Sequence, residues 1–298
     1  MGLEPKACCL EGSCSIQLSY GTGFLFRKHT VPDLRVQSYE YFCEYPNFSF
    51  RKCWILWKIT YFCSIFFNYI ITDNMRIGII VAMDKELRQL QQLFSDTDVL
   101  VQKCGIGKVN AALGAQRIIN DFHPDAIISS GCAGGNGDEV QVQDVVVSSQ
   151  LCYHDVYCGT AIDNTTVYGQ VQGLPARFEA APWLLEKARG LSAAIGSHSA
   201  AQFAIHEGLI VTGDWFVDSK EKMREIVAHF PEAKAVDMES AAIAQTCYLN
   251  HVPFISFRVV SDIPLRDTDA SQYHDFWERV ADHSFQVTKS FVESVMQG

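Results

Sequence analysis

The stretch Met75–Phe94, MRIGIIVAMDKELRQLQQLF, changes its period half-way along. IGIIVAM is an unbroken apolar run, and in the segment after it Leu87, Leu90 and Leu93 recur three apart, on one face of a helix. A buried strand leading straight into an amphipathic helix is the first half of an α/β unit. The alternation continues downstream. VNAALGAQRIINDF reads as a helix, and PDAIISSGCAGG as a strand ending in glycine. DVVVSSQ follows, then an irregular stretch to Pro175. GLIVTGD, KAVDMES and VPFISFRVVSD are three further strands, each ending in an acid or a Gly-Asp turn. The pattern predicts an α/β sheet covered by helices, with ligands at the carboxyl ends of the strands.

Composition agrees with one sizeable globular unit: 298 residues, 48% apolar and 19% charged. The formal charge of −10 offers no basic stripe to a phosphate backbone, which argues against nucleic acid as a partner and for a small molecule. Six of the eleven cysteines lie before residue 75, and the other five (Cys104, Cys132, Cys152, Cys158, Cys247) are scattered without metal-ligand spacing. Free thiols in a reducing compartment are expected, with no metal.

Residues 1–74 have a different character. YEYFCEYPNFSFRKCW is rich in aromatics and cysteine and shows neither a helical nor a strand period. Trp54–Ile71, flanked by Arg51 and Lys52, is long enough to be weighed as a membrane span, but Lys58 inside it counts against that. The extension therefore reads as an upstream stretch begun from too early a start, with a membrane anchor as the alternative. The functional unit is expected to be 75–298, where 17 basic and 28 acidic residues give −11.

Polar residues concentrate at the strand ends: Met83-Asp84-Lys85-Glu86, Ser130 to Gly135, Gly213-Asp214-Trp215-Phe216, Asp237-Met238-Glu239 and Ser261-Asp262. Each has an ordinary reading, Asp84 or Asp262 as a helix N-cap, Glu86 as a solvated helix residue, Phe216 as core. Asp237 and Glu239 pose a sharper problem, because they end a buried-looking strand with no basic residue beside them. Glu239 is expected to face a ligand, ionised by the helix N-terminus that follows it, and Asp237 to serve as a cap.

Taken in order, MRIGIIVAMDKEL, CGIGKVNAALGAQ, IISSGCAGG, GLIVTGDWF, VDMESAAIA and FRVVSD resemble the 5′-methylthioadenosine/S-adenosylhomocysteine nucleosidases of the nucleoside phosphorylase superfamily. The resemblance covers nearly all of 75–298 and none of 1–74. It implies a single α/β domain with a mixed, twisted sheet flanked by helices in three layers. The implied reaction is hydrolysis of an N-ribosidic bond with release of adenine, in methionine salvage and S-adenosylmethionine recycling, by a cytoplasmic homodimer without cofactor. Cleavage through an oxocarbenium-like sugar needs an acid for the leaving base, a positioned water and groups that hold the ribose.

By the resemblance, Asp262 protonates adenine, Ser261 and Arg258 orient that carboxylate, and Glu86 holds and deprotonates the water. Glu239 accepts from the ribose hydroxyls, with Met238 packed on the sugar. Phe216 stacks on the purine while the Val217 backbone meets its edge. Met83 and Tyr273 line the alkylthio end, and Cys132, Ala133 and Gly134 line the glycine turn. Pro175 and its neighbours resemble a loop that reaches the pocket of the partner subunit.

Three positions depart from the pattern: Cys132 where serine is common, Trp215 where a small residue is usual, and Asp237 for a glutamate. The rival within the fold is a phosphorylase, which would need a cationic cradle, typically Gly-Asp-x-x-x-Arg after the first strand. That site reads Ala82-Met83-Asp84-Lys85-Glu86 here, and no Arg or Lys occurs from Gly131 to Gln150. Water is therefore favoured over phosphate. The rival of another class, a non-catalytic nucleoside-binding module, could dispense with Glu86 or Asp262, and both are present.

Overall fold

The computed structural model describes residues 75–94, 98–137, 139–159, 164–196, 203–266, 271–279 and 285–297. The N-terminal extension and its candidate anchor at 54–71 lie outside the described residues. Among the described residues no helix is long and apolar enough to cross a membrane.

The strands are β1 (Ile77–Val81), β2 (Val99–Lys103), β3 (Ala126–Gly135), β4 (Val145–Tyr153), β5 (Phe178–Glu179), β6 (Ile205–Thr212), β7 (Ala233–Asp237) and β8 (Phe254–Asp262). β1 lies between β2 and β3, parallel to both, and each of its five residues is buried. That is why its sequence is a continuous apolar run rather than an alternating one. β3 runs parallel to β8, β8 antiparallel to β4, β4 parallel to β6, and β6 parallel to β7. A bulge between Ala133 and Gly134 shifts the register of β3 against β8, setting Gly134 opposite Asp262, and the same end of β3 pairs antiparallel with β7, Gly134 opposite Val236 and Gly135 opposite Ala235. The pairings β3–β8–β4–β6–β7–β3 thus close a ring within the mixed sheet.

Helices cover the sheet. α1 (Asp84–Leu93), α3 (Pro182–Gly196), α6 (Ser271–Arg279) and α7 (Gln286–Met296) place Leu90, Leu184, Phe276 and Phe291 against Ile77, Ile79, Ile128, Phe257 and Val259. α2 (Lys108–Phe122) and α5 (Ser240–Asn250) cover the opposite face, with Ala111, Ala115, Ile118, Ala241 and Ile243 against Ile80, Ile127 and Val260. α4 (Lys220–His229) seals β6 and β7 with Met223 and Ile226. α5 is buried on nearly every side. Its run Ser-Ala-Ala-Ile-Ala has no amphipathic stripe for that reason.

Strands β1, β3, β6, β7 and β8 and helices α1, α2 and α5 fall where the sequence predicts, and the described part of 154–177 holds no helix or strand. Elements not anticipated are β2, β5, α3, α4, α6 and α7. Strand β2 is a sheet edge whose VLVQK gives only a short alternation, and α3 opens on Pro182, suited to a first helical turn but easily read as a breaker. The start of α4 carries a local signal, Ser219, whose hydroxyl accepts from the Lys222 amide at 3.3 Å.

The rings of Phe257 and Phe291 lie 4.5 Å apart between centroids, where α7 closes the core. Phe291→Ala is expected to lower stability by about 3–5 kcal/mol through the cavity it leaves. Urea denaturation measures this, and a loss below about 1 kcal/mol would mean that α7 does not seal the core.

Candidate active site

Glu86 is only 2% exposed, although it lies in the first turn of a surface helix. Its Oε2 accepts the backbone amides of Ala82 and Met83, both at 2.9 Å, and its Oε1 accepts that of Cys132 at 3.1 Å. The carboxylate reaching back to Met83 is the glutamate half of a capping box. The amide of Cys132 joins the end of β1 to the glycine turn of β3. Burial raises the Glu86 carboxyl above its ordinary value, against the pull of the Arg258 charge and these three amides. The reading of Glu86 as a solvated helix residue does not hold.

Arg258 is the only buried lysine or arginine among the described residues. Its Nε donates to Asp237 Oδ2 at 2.7 Å, its Nη2 donates to Ser129 Oγ at 2.9 Å, and the same nitrogen lies 3.9 Å from Glu239 Oε2. A Cβ on residue 131 would fall 2.5 Å from Arg258 Nη1 and 2.8 Å from Glu86 Oε1, so glycine is required there by space. Asp237 also accepts from the Thr212 hydroxyl and, at 3.0 Å, from the Ser240 amide, which caps α5. Its expected capping role is present, with the ion pair added.

Glu239, 6% exposed, accepts the Gly107 amide at 2.9 Å. Burial, then the neighbouring charge of Asp237, raises its carboxyl from 4.5 to about 7, against Arg258 and the Gly107 amide. At the far end of the cluster Ser261 Oγ donates to Asp262 Oδ1 at 2.7 Å and touches the Ala133 carbonyl at 3.3 Å. Asp262 pairs in register with Gly134 at the bulge. Beside these acids the Phe216 ring, 46% exposed, meets Tyr273 edge-on at 5.4 Å, and the Tyr273 hydroxyl donates to Met83 Sδ at 3.7 Å. Aromatic and thioether side chains in mutual contact therefore stand beside the buried carboxylates.

A family model for the phosphorylase superfamily matches residues 76–294. A protein of Chromohalobacter salexigens, named 5′-methylthioadenosine/S-adenosylhomocysteine nucleosidase, is 39% identical over 196 residues, 66% of this chain and 80% of that protein. This chain belongs to the nucleosidase family within that superfamily. A crystal structure of the nucleosidase from Neisseria meningitidis in complex with methylthio-immucillin-A is 36% identical, with a TM-score of 0.66 over 74% of this chain and 99% of that one. The nucleosidase from Colwellia psychrerythraea, in complex with adenine, is 32% identical, with a TM-score of 0.67 over 74% and 96%.

Within this nucleosidase the structure brings Glu86, Cys132, Glu239 and Arg258 into one contact network, places Ser261 and Asp262 beside Ala133 and Gly134, and joins Met83, Phe216 and Tyr273 in a second. Met238 is half-buried between the two acids, and Val217 turns its side chain into the core beneath β6 and β7. Pro175 is half-buried in the irregular stretch.

Four expectations are corrected. Arg258 does not orient Asp262; its hydrogen bonds go to Asp237 and Ser129, because four residues along a strand set the two Cα atoms about 13 Å apart. Asp237 and Glu239 do have a cation beside them, delivered from β8 rather than from their own segment. The helix N-terminus does not decide the charge of Glu239, since burial outweighs it. Phe216 is not core either, being half exposed. Sequence reasoning missed the Gly107 amide and Ser129. The only local signal for the former was the pair of glycines in CGIGK, both at positive φ, Gly105 at 100° and Gly107 at 92°.

The raised Glu239 carboxyl has a consequence for stability. Between pH 4.5 and about 7 the folded chain keeps a proton that the unfolded chain releases. The associated stabilisation is complete below the lower value and is lost as pH rises through the upper one. Glu239→Gln, which keeps the neutral shape, is expected to flatten the decline in unfolding free energy from pH 5 to pH 8 by on the order of 3 kcal/mol. Urea titrations across that range test it, and identical pH slopes for the two proteins would contradict it.

Proposed function

We propose that this protein hydrolyses the N-ribosidic bond of 5′-methylthioadenosine and S-adenosylhomocysteine, giving adenine and the 5-thioribose product. The observation that carries this reading is the set of three buried carboxylates, Glu86, Glu239 and Asp262, delivered from three different strand ends, with the Phe216–Tyr273 pair reaching Met83 beside them. Asp262, held by the Ser261 hydroxyl, gives its proton to the leaving adenine. Glu86 positions and deprotonates the attacking water. Glu239 accepts from the ribose hydroxyls beside Met238. Phe216 stacks on the purine, the Val217 backbone meets the base edge, and Met83 with Tyr273 bounds the alkylthio group. Cys132, Ala133 and Gly134 form the floor.

Charge supports water over phosphate as the nucleophile. Arg258, the one buried lysine or arginine among the described residues, is already engaged by Asp237, and Glu86 stands where a phosphate cradle would need positive charge. The same negative surplus favours the positive charge that develops on the sugar.

A homodimer fits the surface. Ile106, Val109 and Leu113, at and just before the start of α2, and Tyr248 and Leu249, at the end of α5, are all at least half exposed, on two helices that pack together. This patch is the face we assign to a second copy.

Asp262→Asn is expected to lower turnover by roughly 10² to 10⁴ with the fold retained, and Glu86→Gln by a similar factor with nucleoside affinity kept. Assays of adenine release, with binding measured separately, check both. Near-normal turnover in folded Asp262→Asn removes that residue from the mechanism. The sugar product should be free 5-methylthioribose with or without inorganic phosphate, and a sugar 1-phosphate detected by mass spectrometry would overturn hydrolysis.

Residues 75–298 hold every group named above, so a chain beginning at Met75 should cleave 5′-methylthioadenosine as well as the full chain does, and sediment at twice its monomer mass. Loss of activity on that truncation would place part of 1–74 in the working enzyme. Sedimentation as a monomer would refute the dimer.

A further inference from the structure

The Gly107 amide is the one neutral donor on Glu239, and three charged residues outside the pocket fix its place. Gly107 stands at φ 92°, immediately before α2. The next amide, that of Lys108, donates to Asp214 Oδ1 at 2.7 Å. Lys108 Nζ donates to both oxygens of Asp155, at 2.8 and 2.7 Å, and lies 3.8 Å from Asp214 Oδ2. Asp155 Oδ2 closes the circuit by accepting the Asp214 amide at 2.8 Å. A Cβ on Gly107 would come within 2.9 Å of Asp214 Oδ1, so a side chain there would force that carboxylate to shift.

The circuit ties together three segments: the start of α2, the exit of β4 at Asp155 and the exit of β6 at Asp214. Asp214 is two residues before Phe216. Such half-exposed ion pairs add little to global stability. What the circuit fixes is position.

We propose that Lys108, Asp155 and Asp214 are positioning residues that hold the Gly107 amide against Glu239 and so set the affinity of the site for the ribose diol. The proposal rests on the reading of Glu239 as the ribose acceptor. It makes a directional claim. An amide donated to a carboxylate favours the charged form, so loosening the turn raises the pH at which Glu239 ionises. The other groups facing Glu239 are Asp237 from β7, Arg258 from β8, Glu86 from α1, the Cys104 thiol after β2 and Cys132 from β3. None of them belongs to the circuit. Removing the negative charge of Asp214 would, by relief of Coulomb repulsion alone, move Glu239 the other way. The sign of the shift therefore separates loss of the amide from loss of a distant charge.

The test uses the full chain and its Asp214→Asn variant, with 5′-methylthioadenosine and its 2′,3′-dideoxy analogue as ligands from pH 6 to 9. For Asp214→Asn the expected result is a roughly tenfold rise in KM for the riboside at pH 7. Turnover should change much less, the acid limb of kcat/KM should move upward, and affinity for the dideoxy analogue should be unchanged. In a Glu239→Gln background the Asp214 change should move no limb. Asp155→Asn, which cuts the circuit elsewhere and also removes a negative charge, should move the limb in the same upward direction, and it decides the matter if Asp214→Asn does not fold. A limb that stays or moves downward, or an equal loss with the dideoxy analogue, overturns the proposal. A wild-type enzyme that does not prefer the riboside to the dideoxy analogue sinks the ribose reading of Glu239 itself, a failure seen before any variant is made.

Discussion

Taking a guanidinium out of water costs several kcal/mol unless its charge is met by a partner in good geometry. Arg258, 2% exposed, meets that requirement through Asp237 at 2.7 Å, with Ser129 taking a second donor. The pair spans β8 and β7, which are not sheet neighbours, and it crosses over β3 at the residue that lacks a side chain, Gly131. Asp237 holds the Thr212 hydroxyl and the first amide of α5 at the same time. One ion pair therefore sets the relation of three strands and a helix, and fixes where Glu239 and Glu86 come to lie.

The closure of the sheet makes this arrangement possible. Past the bulge at Ala133–Gly134 the end of β3 lies opposite Asp262 of β8 and also pairs with β7, so that β7 has a second neighbour besides β6. The glycine turn is thereby shared by the strand that carries Asp262 and the strand that leads to Glu239. Small residues on α5 let that helix sit against the turn, and Ser240 meets Ser256 of β8 at 2.7 Å. Carboxylates from segments far apart in the chain can then face one cleft while each keeps a hydrogen-bond donor from the protein.

Three acids around one compensated cation leave the cleft negative, and burial moves two of the carboxyls toward their neutral forms. Glu239, raised to about 7, can take or give a proton near neutral pH. Among the described residues the one buried lysine or arginine, Arg258, is already engaged by Asp237, so a phosphate would find no free buried positive charge there. The resemblance to phosphorylases thus stops at the fold, and the chemistry follows the residues placed on it.

Several features could be read from local sequence. The apolar run of β1 and the leucine spacing of α1 mark a strand and a helix because periodicity is a local property, and the acids at the ends of β7 and β8 stand out because such positions are costly for charge. Spacing alone also told against a phosphate cradle. What paired with those acids could not be read in the same way. Arg258 lies 21 residues beyond Asp237, and only the crossing of β8 over the glycine turn makes it the counter-ion of Asp237 rather than the support of Asp262. The Gly107 amide reaches Glu239 across 132 residues. The charge state of Glu239 was misjudged from its helix N-terminus because burial, the larger effect, depends on everything packed around it. Local pattern determined the strands and the candidate acids; the tertiary structure decided which charges they met, since desolvation and ion pairing depend on distance in space and not on distance along the chain.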